Sequence, residues 1–376
     1  MAKTWVGGAD EIAQVSQCEV TAYDASTTYT ITVTGEDGST VAISTAGVND
    51  VDDTAAALRD AWNNSTSRLC TGITASGATA FVILTADVAG VPFSVASSKT
   101  GGTGTIGAFT ATAANQGPND YGCAGNWLEG AIPVANDDVL LTGAYSILYG
   151  LRQSGVELDD FKVSDGFTGQ IGSPGAFLQI DMADSDVFEF AGQGQAWISV
   201  GSAAISPRIL QTASVSNGES GLHLKGTALA TVNILGGNVR IMNGSTVTAD
   251  ILVGESGTCL VEDGVTLTGC DISSSGVVTS KSAFAVGNCT GGVFTTEGSG
   301  TVTTLNVRSG VCYPNSSGTI TNLNVDGGTC DMTKSNVART VTNPSLDSGV
   351  LLYDPNFVSF SNPPTCGSKL SLTLAA

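Results

Sequence analysis

The amino-acid sequence predicts a mainly β chain: a parallel β-helix (a solenoid of about 18 residues per coil) preceded by a small α+β module. Three observations carry this. Residues 301–318 (TVTTLNVRSGVCYPNSSG) and 319–336 (TITNLNVDGGTCDMTKSN) superimpose at a spacing of 18. Leu305 then meets Leu323, Asn306 meets Asn324, Val307 meets Val325, Gly310 meets Gly328 and Cys312 meets Cys330. That period is too short for a domain and suits one coil stacked on the last. The 48 glycines are about twice the usual share and are scattered between short Val/Ile/Thr runs, the pattern of tight turns between short strands. Finally, helical periodicity is convincing in only one segment, close to residue 55.

The first region, residues 1–120, reads as the α+β module. Tyr29–Val33 and Val41–Ile43 are strand-like, joined by the turn Gly35-Glu36-Asp37-Gly38. Ala55, Leu58, Ala61 and Trp62 fall at helical spacing, with Asp53 or Thr54 as the expected cap. Gly72–Ala75, Ala80–Leu84 and Phe93–Val95 return to strand, giving β-β-α-β-β with one helix buried on a small sheet.

Residues 121–345 read as the solenoid. The inward residue before each turn is expected at Ile234, Val253, Ile272, Cys289, Val307 and Val325, in steps of 19, 19, 17, 18 and 18. Gly237, Gly257, Gly292, Gly310 and Gly328 mark the following turn, and Asn233, Asn288, Asn306 and Asn324 precede the core residue. Strand alternation points Val307 inward and Asn306 outward. Stacking then builds an apolar column inside and hydrogen-bonded amide ladders outside. Six coils at about 4.8 Å each make a shaft of roughly 29 Å. Residues 346–376 are expected to break the period: Pro355, Pro363 and Pro364 cluster with Tyr353, Phe357 and Phe360, as a cap on the open strand edge or a subunit contact.

Charge narrows the function classes. With 14 basic against 34 acidic residues, a net charge of −20 gives a phosphate backbone nothing to hold, so nucleic acid is excluded as a partner. Anionic membrane surfaces are disfavoured likewise, and no apolar run of 18 residues predicts a membrane span. The start, MAKTWVGGADEIAQ, does not read as a secretory leader, so synthesis in the cytoplasm without general export is expected. Nine cysteines, an odd number without C-x-x-C pairing, read as reduced. Cys312 and Cys330, one coil apart and pointing the same way, have poor disulfide geometry and read as small buried hydrophobes.

Reactive chemistry is sparse. His223 is the single histidine and no nucleophile motif accompanies it, so it reads as incidental. Asp181, Asp184, Asp186 and Glu189 have the residue types of a Ca²⁺ site or glycosidase pair, but read as acids displayed to solvent. Asn49-Asp50-Val51-Asp52-Asp53 lacks the glycine and terminal glutamate of a Ca²⁺ loop and reads as the approach to the helix. Lys225 and Arg240 are the basic residues of the early regular coils, without an acidic partner at recognisable spacing. Gly236-Gly237 reads as a turn rather than a phosphate loop. No catalytic residue, metal or cofactor is assigned; polysaccharide cleavage, the main enzymatic use of long β-helices, is the rival to a structural role.

The opening MAKTWVGGA, the segment from Tyr29 to Ser97 and the join GPNDYGCAGNWLEGAIPVANDDVLL resemble a family of bacteriophage and prophage-encoded virion proteins. These carry a small α+β module followed by a parallel β-helix, and the resemblance covers most of the chain. It implies a particle component: a homotrimeric, tailspike-like capsid decoration, or a fibre or spike on the tail. The expected partners are further copies of the chain, the major capsid protein or another virion protein, and a host surface glycan. The expected location is the virion, after assembly in the host cytoplasm. The family supplies no catalytic residues to carry over.

Overall fold

A computed structural model describes residues 1–201, 204–214 and 219–374, without the side chains of 185 and 368–374. The chain is 53% strand and 4% helix, and after its N-terminal module it winds into a parallel β-solenoid of about 12 turns with ~19 residues per turn. One inward column runs from Trp5 through Leu141, Val163, Phe190 and Ile209 to Ile234, Val253, Ile272, Cys289, Val307, Val325, Leu346 and Cys366. All but Cys366 are buried.

Each coil has three sides. The second inward column carries Val239, Cys259, Val278, Phe294, Cys312 and Cys330. The third carries Phe284, Val302, Ile320 and Val341. The three columns close on one apolar cluster, and burial of these side chains along the whole axis drives the stacking. Packing is local and compensated. Phe284 and Phe294 stack at 5.5 Å, and a Cβ on Gly287 would lie 2.7 Å from the Phe294 ring. The next coils, without that pair of rings, carry Leu305 and Leu323 in register with Gly287.

Cys312 and Cys330 are register partners, reduced and fully buried. The neighbouring Cys330 thiol and burial hold the Cys312 thiol well above its ordinary pKa, and burial alone pushes Cys259 up to about 12. Both therefore pack as hydrophobes rather than thiolates.

The module holds its own core. Val15–Ala22 pairs antiparallel with Phe81–Ala86, Thr105–Ile106 and Thr110–Ala113, while Thr28–Thr34 lies between Thr40–Ala46 and Ser94–Thr100. The helix, Val51–Asn63, buries Thr54, Ala55, Leu58 and Trp62 against these strands, and Trp62 Nε1 donates to the Ile73 carbonyl at 2.8 Å. It starts earlier than the spacing predicts. Asp50 is the cap, its carboxylate accepting from the Asp53 amide at 2.9 Å.

Two boundaries differ from the expected division. Ala2–Trp5 belongs to the shaft: it pairs parallel with Asp138–Leu141 as the first rung. Residues 346–374 form further coils rather than a cap, since Leu346 pairs with Val325 and Cys366 with Leu346. The prolines fit because they avoid the ladder: Pro355 lies in a turn and Pro363 and Pro364 precede the strand Thr365–Leu374. No helix among the described residues is long and apolar enough to cross a membrane.

Candidate functional site

The outward side of the first column is an amide face. Asn288 Nδ2 donates to Asp271 Oδ1 at 2.6 Å, Asn306 to Asn288 Oδ1 at 2.8 Å, and Asn324 to Asn306 Oδ1 at 2.8 Å. A second ladder stands two residues earlier on each strand. Asn322 donates to Thr304 Oγ1 at 3.3 Å, Asn343 to Asn322 Oδ1 at 2.9 Å, and Asn362 to Asn343 Oδ1 at 2.6 Å. Parallel register dictates this: identical residues stack one strand spacing apart, so each amide reaches its copy above and below.

The expected ladder residues Asn306 and Asn324 are thus in bonded contact, as are Asn288 and Asn306, whereas Asn233 stands opposite Arg208 and Leu252 and joins no amide chain. The second ladder escaped the sequence reading. Thr304 and Asn322 do align at the repeat spacing of 18, but the next steps, to Asn343 and Asn362, are 21 and 19.

A cleft of about 370 Å³ opens over the C-terminal end of this face, lined by Asn322, Asn324, Asn343, Ser345, Asn362 and Thr365. A carboxamide has two N–H donors and two acceptor lone pairs. Inside a ladder each amide uses one of each, whereas Asn324 and Asn362, last in theirs, use only a donor, so every amide keeps at least one donor and one acceptor outside the ladder. These free donors and acceptors are of the kind that pair with neutral, hydroxyl-rich groups, and a carboxamide has no titratable proton. Toward the other end the same face is charged, with Lys162–Asp160 at 2.5 Å and Arg208–Glu189 at 2.9 Å.

The acids singled out in the sequence have backbone work. Asp181 accepts from the Gly155 amide at 2.6 Å, Asp184 from Ala204 at 2.7 Å and Asp186 from Ala183 at 2.7 Å. His223 stacks on Trp197 and is 3% exposed. Arg240, its register partner on the next coil, has Nε 3.3 Å from Glu262 Oε1. Among the described residues no group of three or more His, Cys, Asp or Glu is arranged to hold a metal ion.

A second cleft, about 510 Å³, lies where module meets shaft. Glu36 crosses it: its carboxylate accepts from the Gly150 amide at 3.1 Å and the Leu151 amide at 3.0 Å. Burial raises the Glu36 pKa against the pull of those two N–H groups, and burial raises Asp120 beside it.

No family model, curated protein or solved structure matches the chain.

Proposed function

We propose that the chain is a structural protein of a bacteriophage particle, a homo-oligomeric, tailspike-like decoration whose N-terminal module docks on the major capsid protein or another virion protein while the β-solenoid projects. The observation that carries this reading is the convergence of the resembling segments. The opening strand Ala2–Trp5 pairs with Asp138–Leu141 from the join, and Trp5 meets Trp127 edge-on at 5.4 Å. Asn126, also from the join, donates to the Gly117 and Asp120 carbonyls and accepts from the Ala9 amide. Segments 1–9 and 117–141 thus build one unit, the first rung of a rigid shaft, with the module inserted between them. That is the construction a docking head on a stiff projection requires.

The test is location and copy number. Antibody labelling should decorate the shells of particles from the producing host, and gels should give hundreds of copies per particle; particles lacking the chain would sink the proposal. A tail spike or fibre binding a host surface glycan is the second reading, favoured by the neutral amide face. It predicts a few to tens of copies at the tail. If that spike also degrades the glycan, purified protein will shorten host polysaccharide.

A further inference from the structure

We infer that Asp271 is a positioning residue for the amide face: it sets the direction in which the carboxamides of the first ladder point, and so what that face offers a ligand. The ligand half of this inference deepens the glycan reading above and rests on it. The direction rests on the ladder alone.

Asp271 is where this ladder starts. Its register partner on the preceding coil is Leu252, whose side chain makes no hydrogen bond, and its partner on the next is Asn288. A carboxamide turned end for end keeps nearly the same shape with donor and acceptor exchanged, so a column of asparagines alone can run either way. A carboxylate accepts and has no hydrogen to give. Asn288 must therefore turn its NH₂ group to Asp271, at 2.6 Å, which leaves its Oδ1 facing Asn306. Asn306 answers with Nδ2 at 2.8 Å, and Asn324 does the same to Asn306, also at 2.8 Å. One acid thus orders three amides, and each bond polarises the next in the same sense.

The ladder also joins two clefts. Asp271 and Asn288 line one of about 410 Å³, together with Asn233, Leu252, Thr290 and Arg308. Asn324, at the other end, lines the cleft of about 370 Å³. In the observed direction the ladder closes there on a carbonyl oxygen, Asn324 Oδ1, which accepts no bond among the described residues. In the reverse direction it would close on an NH₂ group instead. The observed end accepts a hydroxyl hydrogen, so a linear, hydroxyl-rich chain gains most by lying one way along the face. The second ladder is a comparison within the same molecule. It ends on Thr304, whose hydroxyl both donates and accepts, so that end imposes no direction.

Nuclear magnetic resonance of the full chain made with isotope-labelled asparagine tests this, with circular dichroism reporting the fold. Each NH₂ signal is assigned by its loss in the matching alanine variant. Asp271→Asn removes the acceptor-only end, and should move or double the NH₂ signals of Asn306 and Asn324 while those of Asn343 and Asn362 stay in place. Asp271→Lys, which puts a donor-only ammonium there, should move the same two signals further. Asn324 signals that stay put in the folded variants overturn the inference, since a purely local contact would reach Asn288 and go no further. Equal movement in both ladders overturns it too, as a general disturbance of the coils. For the ligand half, the probe is polysaccharide purified from the surface of the producing host. If wild type binds it, Asp271→Asn should bind ~5–10-fold more weakly, and equal binding overturns that half. A wild type that binds none of it sinks the glycan reading, while the spectra still decide the direction of the ladder.

Discussion

Trp197 and His223, register partners on adjacent coils, stack with ring centroids 4.8 Å apart and planes 9° from parallel. Neither His223 ring nitrogen has a well-formed hydrogen bond among the described residues. Burial lowers the pKa below the ordinary 6.5, and Arg240 lowers it further; Glu219, Ser220 and Glu262 pull the other way more weakly. The sign follows from linkage. Below 6.5 the unfolded chain binds a proton that the folded chain refuses, so this contribution is whole above 6.5 and declines as pH falls toward the folded value. His223→Phe keeps the stacked ring and removes the titration. Thermal melts from neutral to mildly acid pH should fall less steeply for the variant than for wild type; equal slopes would show that His223 does not titrate differently on folding.

Asn306 holds the middle of its ladder, donating to Asn288 and accepting from Asn324. Asn306→Ala removes both bonds at a half-buried site and should cost ~1–2 kcal/mol in denaturant melts. Asn306→Asp still accepts from Asn324 but turns a carboxylate toward Asn288 Oδ1. It should cost more than alanine at neutral pH and recover as acid restores an O–H donor. An aspartate variant as stable as wild type at neutral pH would mean the ladder contributes nothing to stability.

The turns make opposite predictions at two positions. Gly310 sits at φ +73°, and a Cβ there would lie 2.6 Å from backbone atoms of Gly291 and Gly292 in the coil beneath. Gly310→Ala should cost roughly 2–4 kcal/mol, combining left-handed strain with a backbone clash. In the coil of Ile272 the left-handed residue is Ser274, at φ 53°. There Ser274→Gly should gain up to ~1 kcal/mol by relieving the strain. Urea midpoints read both, and shifts in the same direction would contradict the turn geometry.

Gly310 also explains how much of the fold was legible. Where coils are equal in length, stacking forces like residues into register, and the repeat around Val307 and Val325 exposes the period directly. That regularity carries Ile234 to Val325, while the helix face of Leu58 and Trp62 was legible from its own helical spacing. Earlier coils step by 22 residues from Leu141 to Val163, 27 to Phe190 and 25 from Ile209 to Ile234, so excursions erase the period. Ala2–Trp5 was illegible for another reason. Its partner lies more than a hundred residues downstream, and a four-residue strand has no periodicity of its own. The cap expected at Pro355, Pro363 and Pro364 failed because these three prolines fall between strands rather than inside one.

Glu36 is the polar link most open to a decisive test, because it reaches from the module to the shaft and belongs to neither apolar cluster. Its two oxygens take one amide each from Gly150 and Leu151. Glu36→Gln keeps the shape but swaps one acceptor for an NH₂ group, so a donor faces a donor. The loss should be ~1–2 kcal/mol, the lower part of the range for an unpaired polar group, because Glu36 is only half-buried. That cost falls on the seating of the module rather than on either core. Hydrogen exchange should therefore speed up at the Gly150 and Leu151 amides, while the main melting transition of the shaft keeps its midpoint. Unchanged protection at both amides would mean that Glu36 does not hold the module in place. A lowered shaft midpoint would mean instead that module and shaft unfold as one body, with the Glu36 bonds part of what couples them.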